Sequence, residues 1–178
     1  MTLAGSAPIR VMFVCLGNIC RSPMAEAIFR HRVTQRGLTD RFVIDSCGTG
    51  DWHVGGPADE RTIRTLQGRS VDIDHVARQL DARTDVDDWD LFVVMDSMNH
   101  RDVLKAGIPL EKVRLMRSFV PAHRSMGERA PAVPDPYEGT IDDFASVYEM
   151  LVEACDAMID DLLIAREGDD QPSTKVLP

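Results

Sequence analysis

Short apolar runs alternate with amphipathic stretches along the chain. Four runs are rich in β-branched residues and predict buried strands: Ile9–Val14, Phe42–Ile44, Leu91–Met95 and Val113–Met116. Apolar residues at helical spacing predict four helices: Ser22–Gln35, Asp59–Gln67, a helix that begins at Asp96 or Ser97 and ends near Gly107, and Ile141–Leu162. Strands that alternate with helices indicate a parallel sheet covered by helices on both faces.

Chain connectivity then predicts how the strands are ordered. Because crossovers are right-handed, we expect a three-layer α/β/α domain of flavodoxin-like topology, with a four-stranded parallel sheet in the order 2-1-3-4. Residues 8–166 should form this single domain, with a flexible leader over 1–7 and a flexible tail over 167–178. Residues 71–90 have no clear periodicity, but the Asp-rich segment TDVDDWD within them predicts a turn or a short helix before the third strand. The long stretch from Pro121 to Tyr137 has no clear periodicity either. Loops as long as this stretch are usually functional or disordered.

Composition and charge exclude several classes of function. The 178 residues carry 20 Lys and Arg against 29 Asp and Glu, a net charge of −9 that disfavours nucleic acid as a partner. No apolar run is long enough to span a bilayer and no signal peptide is visible, so we expect a cytoplasmic protein with no membrane partner. Export without a signal peptide stays open. The cysteines form neither a disulfide framework nor paired zinc ligands: Cys15, Cys20, Cys47 and Cys155.

The segment Cys15–Ser22, CLGNICRS, joins the first strand to the first helix at the position where the 2-1-3-4 order predicts a ligand site. Backbone N–H groups of such a loop and the positive end of the helix bind anions and stabilise a thiolate at Cys15. The Arg21 guanidinium matches two oxygens of a phosphate group. Gly17 allows the backbone to approach a ligand closely. Ser22 can donate a hydrogen bond to the Cys15 sulfur.

Three polar residues are candidates for a network that braces this loop from inside: Asn18, Ser46 and His75. Two other sites are excluded by the spacing. A nucleotide-binding P-loop requires a Gly-Lys-Ser/Thr sequence, and a structural zinc site requires further ligands at regular spacing. The loop therefore predicts a thiol-based reaction on an anionic substrate.

The octet with the adjoining PMAEAIFR, together with the distant DPY tripeptide that begins at Asp135, resembles the low-molecular-weight protein tyrosine phosphatases. The resemblance covers about Ile9 to Ala165. It implies that Cys15 attacks phosphorus and forms a phosphocysteine, and that Arg21 holds the phosphate oxygens. It also implies that Asp135 protonates the leaving oxygen and then activates water. No cofactor and no metal are implied.

The resemblance also implies a set of substrate-binding residues: Leu16, Gly17, Asn18, Ile19, Cys20, Ser22, Trp52 and Tyr137. Trp52 and Tyr137 would clasp the flat ring of phosphotyrosine. Glu138 stands where many relatives have a second tyrosine, which alters one wall and disfavours acidic peptides. For Cys20, a reversible disulfide with Cys15 and a simple packing role both stay open. Expected partners are phosphotyrosine-containing proteins and a cognate tyrosine kinase, and the protein is expected to be a monomer, with weak self-association open.

Three alternative functions are less well supported by the residues. An arsenate reductase of this fold would carry relay cysteines after the third strand, where VVMDSMNHRDVLKAG has none. Protein arginine phosphatases of the family resemble this chain but carry Thr at the position of Ile19, so the larger Ile19 favours an aryl ester. An inactive phosphate-binding module is disfavoured because Cys15, Arg21 and Asp135 are all present.

Overall fold

The structure, a computed structural model, describes residues 7–169. Nearly all of the predicted leader and the last nine residues of the predicted tail lie outside the described residues. Four strands form one parallel sheet: β1 (Ile9–Cys15), β2 (Phe42–Gly48), β3 (Leu91–Val94) and β4 (Val113–Leu115). Their order is β2-β1-β3-β4, which confirms the predicted topology.

Helices cover both faces of this sheet: α1 (Arg21–Gln35), α2 (Glu60–Gln67), α3 (Ala82–Asp88), α4 (Ser97–Ala106) and α5 (Ile141–Asp169). Val11 and Phe13 face the core that α1 and α5 cover, whereas Met12 and Val14 face the opposite core. All four side chains are buried, since a strand in the middle of a three-layer sandwich has no solvent-facing side. Among residues 7–169, no helix is both long enough and apolar enough to cross a membrane.

The largest differences from the predicted boundaries lie at the ends of β2 and α5. The loop expected to begin at Ser46 is wrong for its first three residues, because β2 pairs with β1 in register as far as Gly48. Asp45 and Ser46 interrupt the apolar pattern there, and both make side-chain hydrogen bonds. The Asp-rich segment predicted to form a turn or a short helix overlaps α3, which Asp81 caps by accepting a hydrogen bond from the backbone N–H of Arg83. Helix α5 extends to Asp169, past the last residue of the predicted helix, Leu162, and past the predicted end of the domain at residue 166.

The long stretch after β4 is structured. Residues 116–119 and 121–129 form 3-10 turns, with Gly127 at a positive φ of 52° inside the second segment. The chain then passes the carboxyl end of β3, where the Val133 N–H donates to the carbonyl of Met95 at 2.8 Å. This course brings Asp135 to the edge of the sheet at which β1 ends.

Candidate active site

The loop between β1 and α1 lies at the carboxyl end of β1 and is stabilised by hydrogen bonds from buried and half-buried side chains. The Cys15 Sγ lies 3.0 Å from the Ser22 Oγ, and both residues are buried. Asn18 adopts a left-handed backbone conformation (φ 55°), which turns the loop back toward α1. Its side-chain Nδ2 donates to the Ser22 Oγ and to the Ser46 Oγ, each at 2.9 Å. Its backbone carbonyl lies 2.7 Å from the His75 Nε2.

The predicted bracing residues are therefore brought together, and two further residues join them. The Arg78 backbone N–H donates to the Asn18 Oδ1 at 2.9 Å. The Ser46 Oγ donates to Glu26 Oε2 at 2.7 Å, and the other Glu26 oxygen pairs with Arg30 at 2.9 Å. Because a carboxylate only accepts hydrogen bonds, Ser46 gives its single hydroxyl proton to the bond with Glu26. The Ser46 oxygen therefore acts as the acceptor for the Asn18 amide.

Arg21, at the first position of α1, points toward two acidic residues. Its NH1 lies 2.6 Å from Asp96 Oδ2 and its NH2 lies 2.8 Å from Asp135 Oδ2. NH1 also donates to the carbonyl of Val133 at 3.2 Å. Burial acts to lower the pKa of Arg21, but the negative charge of Cys15 and of the two carboxylates outweighs it and raises that pKa. The guanidinium is thus charged, oriented and beside the thiol.

These side chains open into one pocket of about 120 Å³. Its lining contains both the reactive groups and apolar walls: Cys15, Leu16, Gly17, Ile19, Cys20, Arg21, Trp52, His53, Asp135 and Tyr137. Trp52 and Tyr137 stand at the rim, with 71% and 45% of their surfaces exposed. The pocket thus combines a buried thiol, a guanidinium and a carboxylate with two exposed aromatic rings.

The Low molecular weight phosphotyrosine protein phosphatase family model matches residues 10–167. The chain belongs to this family. The low molecular weight protein-tyrosine phosphatase A of Mycobacterium tuberculosis is 42% identical over 165 residues, which cover 92% of this chain and 98% of the relative. The similarity to this family therefore extends over nearly the whole chain, so solved structures of the family should share its fold.

Two solved structures share this fold. A protein tyrosine phosphatase from Entamoeba histolytica superposes with a TM-score of 0.81 at 32% identity, covering 89% of this chain and 99% of that one. A Drosophila arginine phosphatase superposes with a TM-score of 0.74 at 30% identity, covering 86% and 98%. The family fold therefore carries more than one named specificity, so the substrate has to be argued from the pocket.

Sequence reasoning missed Asp96 as a site residue of this phosphatase-family chain. The apolar pattern places Asp96 only at the start of α4, and Asp96 does cap that helix, since its Oδ1 accepts from the Asn99 backbone N–H at 2.7 Å. Its second oxygen binds Arg21. The signal that could have found it is its position directly after β3, the strand that the predicted order places beside β1.

His53 was also missed. Its ring packs on Gly17, where an added Cβ would lie 3.0 Å from a ring carbon, and its centroid lies 6.2 Å from that of Tyr137. A larger residue at position 17 would therefore crowd the imidazole, which would have to shift by a few tenths of an ångström. The sequence offers only the proximity of His53 to Trp52 as a signal.

The second thiol of the loop, Cys20, is buried beside the pocket. Burial raises the pKa of Cys20, and the charges of Asp59 and Cys15 raise it further. Cys20 therefore remains a neutral thiol, in contrast to the thiolate that nucleophilic attack by Cys15 requires.

Proposed function

We propose that the protein is a protein tyrosine phosphatase that hydrolyses phosphotyrosine monoesters through a phosphocysteine intermediate. The observation that carries the proposal is the pocket in which Cys15, Arg21 and Asp135 meet below the exposed rings of Trp52 and Tyr137. Phosphoryl transfer depends mainly on positioning and charge stabilisation, and these are the chemical groups that it requires.

In the first step, the Cys15 thiolate attacks phosphorus and the bond to the phenolic oxygen breaks. Asp135, as a carboxylic acid, gives its proton to that oxygen, so tyrosine leaves as a neutral phenol. The loop N–H groups over Leu16–Ser22 and the Arg21 guanidinium bind the phosphate oxygens through the transition state. The phosphate competes with Asp135 for Arg21, which frees the Asp135 carboxyl for the leaving group.

In the second step, Asp135 accepts a proton from water as that water attacks phosphorus. The S–P bond breaks and inorganic phosphate leaves. Ser22, whose Oγ lies 3.0 Å from the sulfur and accepts a hydrogen bond from Asn18, can donate a hydrogen bond to the Cys15 thiolate and so stabilise it as a leaving group. Because the Asn18 amide donates to the Ser22 oxygen, the Ser22 hydroxyl proton is available to the sulfur. Ser46 and His75 hold Asn18 in the position that this requires.

The pocket supports an aryl substrate over phosphoarginine. Ile19 and Leu16 present apolar side chains to the interior, and the rings at the rim offer flat faces for stacking. A guanidinium leaving group would be better served by polar groups than by the Ile19 side chain. Glu138, exposed next to Tyr137, adds an acidic group at the rim and disfavours acidic peptides.

Several finer features are part of the same proposal. Substrates would be phosphotyrosine-containing proteins, which a cognate tyrosine kinase supplies. Free cysteines at all four positions are consistent with a reducing, cytoplasmic location, and we propose a monomeric protein with its domain over 8–166. The neutral Cys20 thiol beside Cys15 supports a reversible disulfide under oxidation.

Kinetics with p-nitrophenyl phosphate and with phosphotyrosine, phosphoserine and phosphoarginine peptides test the proposal. Phosphotyrosine should be the preferred peptide, and EDTA should leave the rate unchanged. Cys15→Ser should abolish turnover, and Asp135→Ala should slow phosphotyrosine hydrolysis by about 10²–10⁴-fold through loss of the general acid. Asp142→Ala, which removes an exposed carboxylate at the start of α5, is the matched control. A fully active Cys15→Ser enzyme would overturn the assignment of the nucleophile.

A further inference from the structure

A second hollow, which we call the outer pocket, lies beside the active-site pocket. Its volume is about 250 Å³, and its lining includes Leu16, Thr49, Trp52, Leu80, Asp102 and Ala106. Leu16 and Trp52 belong to the lining of both pockets. A polypeptide whose phosphotyrosine occupies the active-site pocket therefore passes the outer pocket within a few residues, since each extended residue spans about 3.3 Å.

Trp52 lies between the two pockets, and the backbone at Gly50 sets the position of its ring. Its indole lies directly on Gly50, where an added Cβ would come within 1.8 Å of a ring carbon. The ring remains 71% exposed although it rests on the backbone. Because Trp52 lines both pockets, part of its ring can contact the aryl group of the substrate. The rest of its exposed surface is available to a neighbouring residue of the substrate.

The lining of the outer pocket combines apolar side chains, polar groups and one carboxylate. Leu16, Trp52 and Leu80 provide apolar contact, whereas Asp102 is the charged side chain in the lining. Asp102 has a weak neighbour in Arg101, at 3.8 Å, and the Arg101 side chain is 70% exposed. Such an exposed pair contributes little, so the Asp102 carboxylate is available to a cation.

We propose that the outer pocket binds a lysine or arginine side chain close to the phosphotyrosine of the polypeptide substrate. This inference rests on the proposed phosphatase function and specifies its substrate class. The aliphatic stem of the basic residue lies along Leu16 and Leu80, its cationic group pairs with Asp102, and an arginine also contacts the Trp52 ring. The net charge of −9 further favours basic over acidic peptides.

A panel of phosphotyrosine peptides tests the proposal with the full-length enzyme. Each peptide carries a single arginine at one of the three positions before or after phosphotyrosine in an otherwise alanine-rich sequence. We expect one position to raise kcat/KM by about three- to tenfold over the all-alanine peptide, as an exposed ion pair combined with a cation–π contact allows. Citrulline, which is neutral and of the same shape, should lose this gain, and so should 0.5 M salt.

Two variants locate the gain in the outer pocket. Asp102→Asn removes the carboxylate, and Ala106→Phe fills the hollow from an exposed helical position. Both should abolish the preference for arginine and leave p-nitrophenyl phosphate hydrolysis intact, since neither residue lines the active-site pocket. Asp40→Asn is the matched control: it removes one exposed negative charge beside the amino end of β2, at the opposite edge of the sheet, and should retain the preference.

The outcomes separate this inference from the function on which it rests. If the wild-type enzyme hydrolyses p-nitrophenyl phosphate but no arginine position raises kcat/KM, the outer pocket has no such role. A gain that persists in Asp102→Asn and Ala106→Phe overturns the proposal as well. If p-nitrophenyl phosphate itself is not hydrolysed, the phosphatase function fails first.

Discussion

Arg21 is a buried cation on which phosphate binding in the proposed site depends. It is almost fully buried, yet it must stay charged and ready to bind an anion in a protein of net charge −9. Burying an unpaired cation is costly, and the carboxylates of Asp96 and Asp135 offset that cost. The two acids have different tasks: Asp96 is fixed at a helix cap, whereas Asp135 lies on a loop and is more exposed. A phosphate group can therefore replace Asp135 without disturbing Asp96.

This division predicts that Asp96→Asn impairs phosphate binding while the cap survives. An asparagine oxygen can still accept from the Asn99 N–H, but its NH₂ group then faces Arg21 and no longer attracts it. We expect kcat/KM for p-nitrophenyl phosphate to fall by up to about 100-fold, as for other misplaced catalytic groups, and inhibition by inorganic phosphate to weaken. Steady-state kinetics and product inhibition measure both effects.

Asp81→Asn is the matched control, because Asp81 also caps a helix and also pairs with an arginine, but at α3. It should leave both kinetic quantities unchanged. If Asp96→Asn retained the wild-type kcat/KM and phosphate inhibition, the orienting role of Asp96 would be wrong.

At this scale, the sequence predicts residues whose role depends on their own chemistry and misses those whose role depends on neighbours. Cys15 and Arg21 lie five positions apart in one loop, so the spacing alone indicates an anion-binding nucleophile. Asp96, Glu26 and His53 are ordinary residues until the fold sets each against a particular partner. The pairing of Arg21 with Asp96, for example, spans 75 positions.

At the scale of elements, the loop after β2 determines the shape of the pocket rim. It combines a backbone platform at Gly50 with the ring of Trp52 that rests on it. The pattern of apolar residues predicted the helices and strands well because burial sets that pattern, as Val11–Val14 on β1 shows. It failed where polar residues have buried partners, as at Asp45 and Ser46 on β2. It gave no bounds for α3, because that short helix presents few apolar residues. The rim itself has no period and could not be predicted without the resemblance to a family.

The platform predicts that Gly50→Ala acts on substrate binding through Trp52. The new methyl group would displace the indole, so stacking on the substrate ring weakens. We expect KM for phosphotyrosine peptides to rise about three- to tenfold, the effect of losing one aromatic contact of about 0.5–1.5 kcal/mol, with kcat retained. Val54→Ala, an exposed residue of the same loop, is the control and should change neither parameter.

A double variant tests the route of the Gly50→Ala effect. If Gly50 acts only as the platform for the ring, adding Gly50→Ala to Trp52→Ala should raise KM no further than Trp52→Ala alone. Additive effects would show that Gly50 matters for another reason.

For the whole molecule, both sides of the sheet depend on buried thiols as well as on apolar side chains. Cys20 and Cys155 belong to the core beneath α1 and α5, whereas Cys47 lies in the core on the opposite face. Burial raises the pKa of all three thiols. Because the folded state retains these protons at a pH where the unfolded chain releases them, stability is coupled to alkaline pH.

The sign of this coupling gives a prediction for the free energy of unfolding. Below the ordinary thiol pKa of 9.0 both states are protonated and the stability is fully present. Above it the unfolded state alone ionises, so stability falls with rising pH, by at most about 1.4 kcal/mol per pH unit for each thiol. Urea unfolding followed by circular dichroism between pH 8 and pH 10.5 should show this decline.

Cys155→Ala should make the decline shallower by removing one of the coupled thiols, although the cavity lowers stability at every pH. Ile159→Val, four residues along the same buried face of α5, removes volume without removing a titratable group. It should lower the free energy of unfolding by a constant amount and leave the slope against pH unchanged. Equal slopes for Cys155→Ala and the wild type would mean that Cys155 ionises alike in the folded and unfolded states.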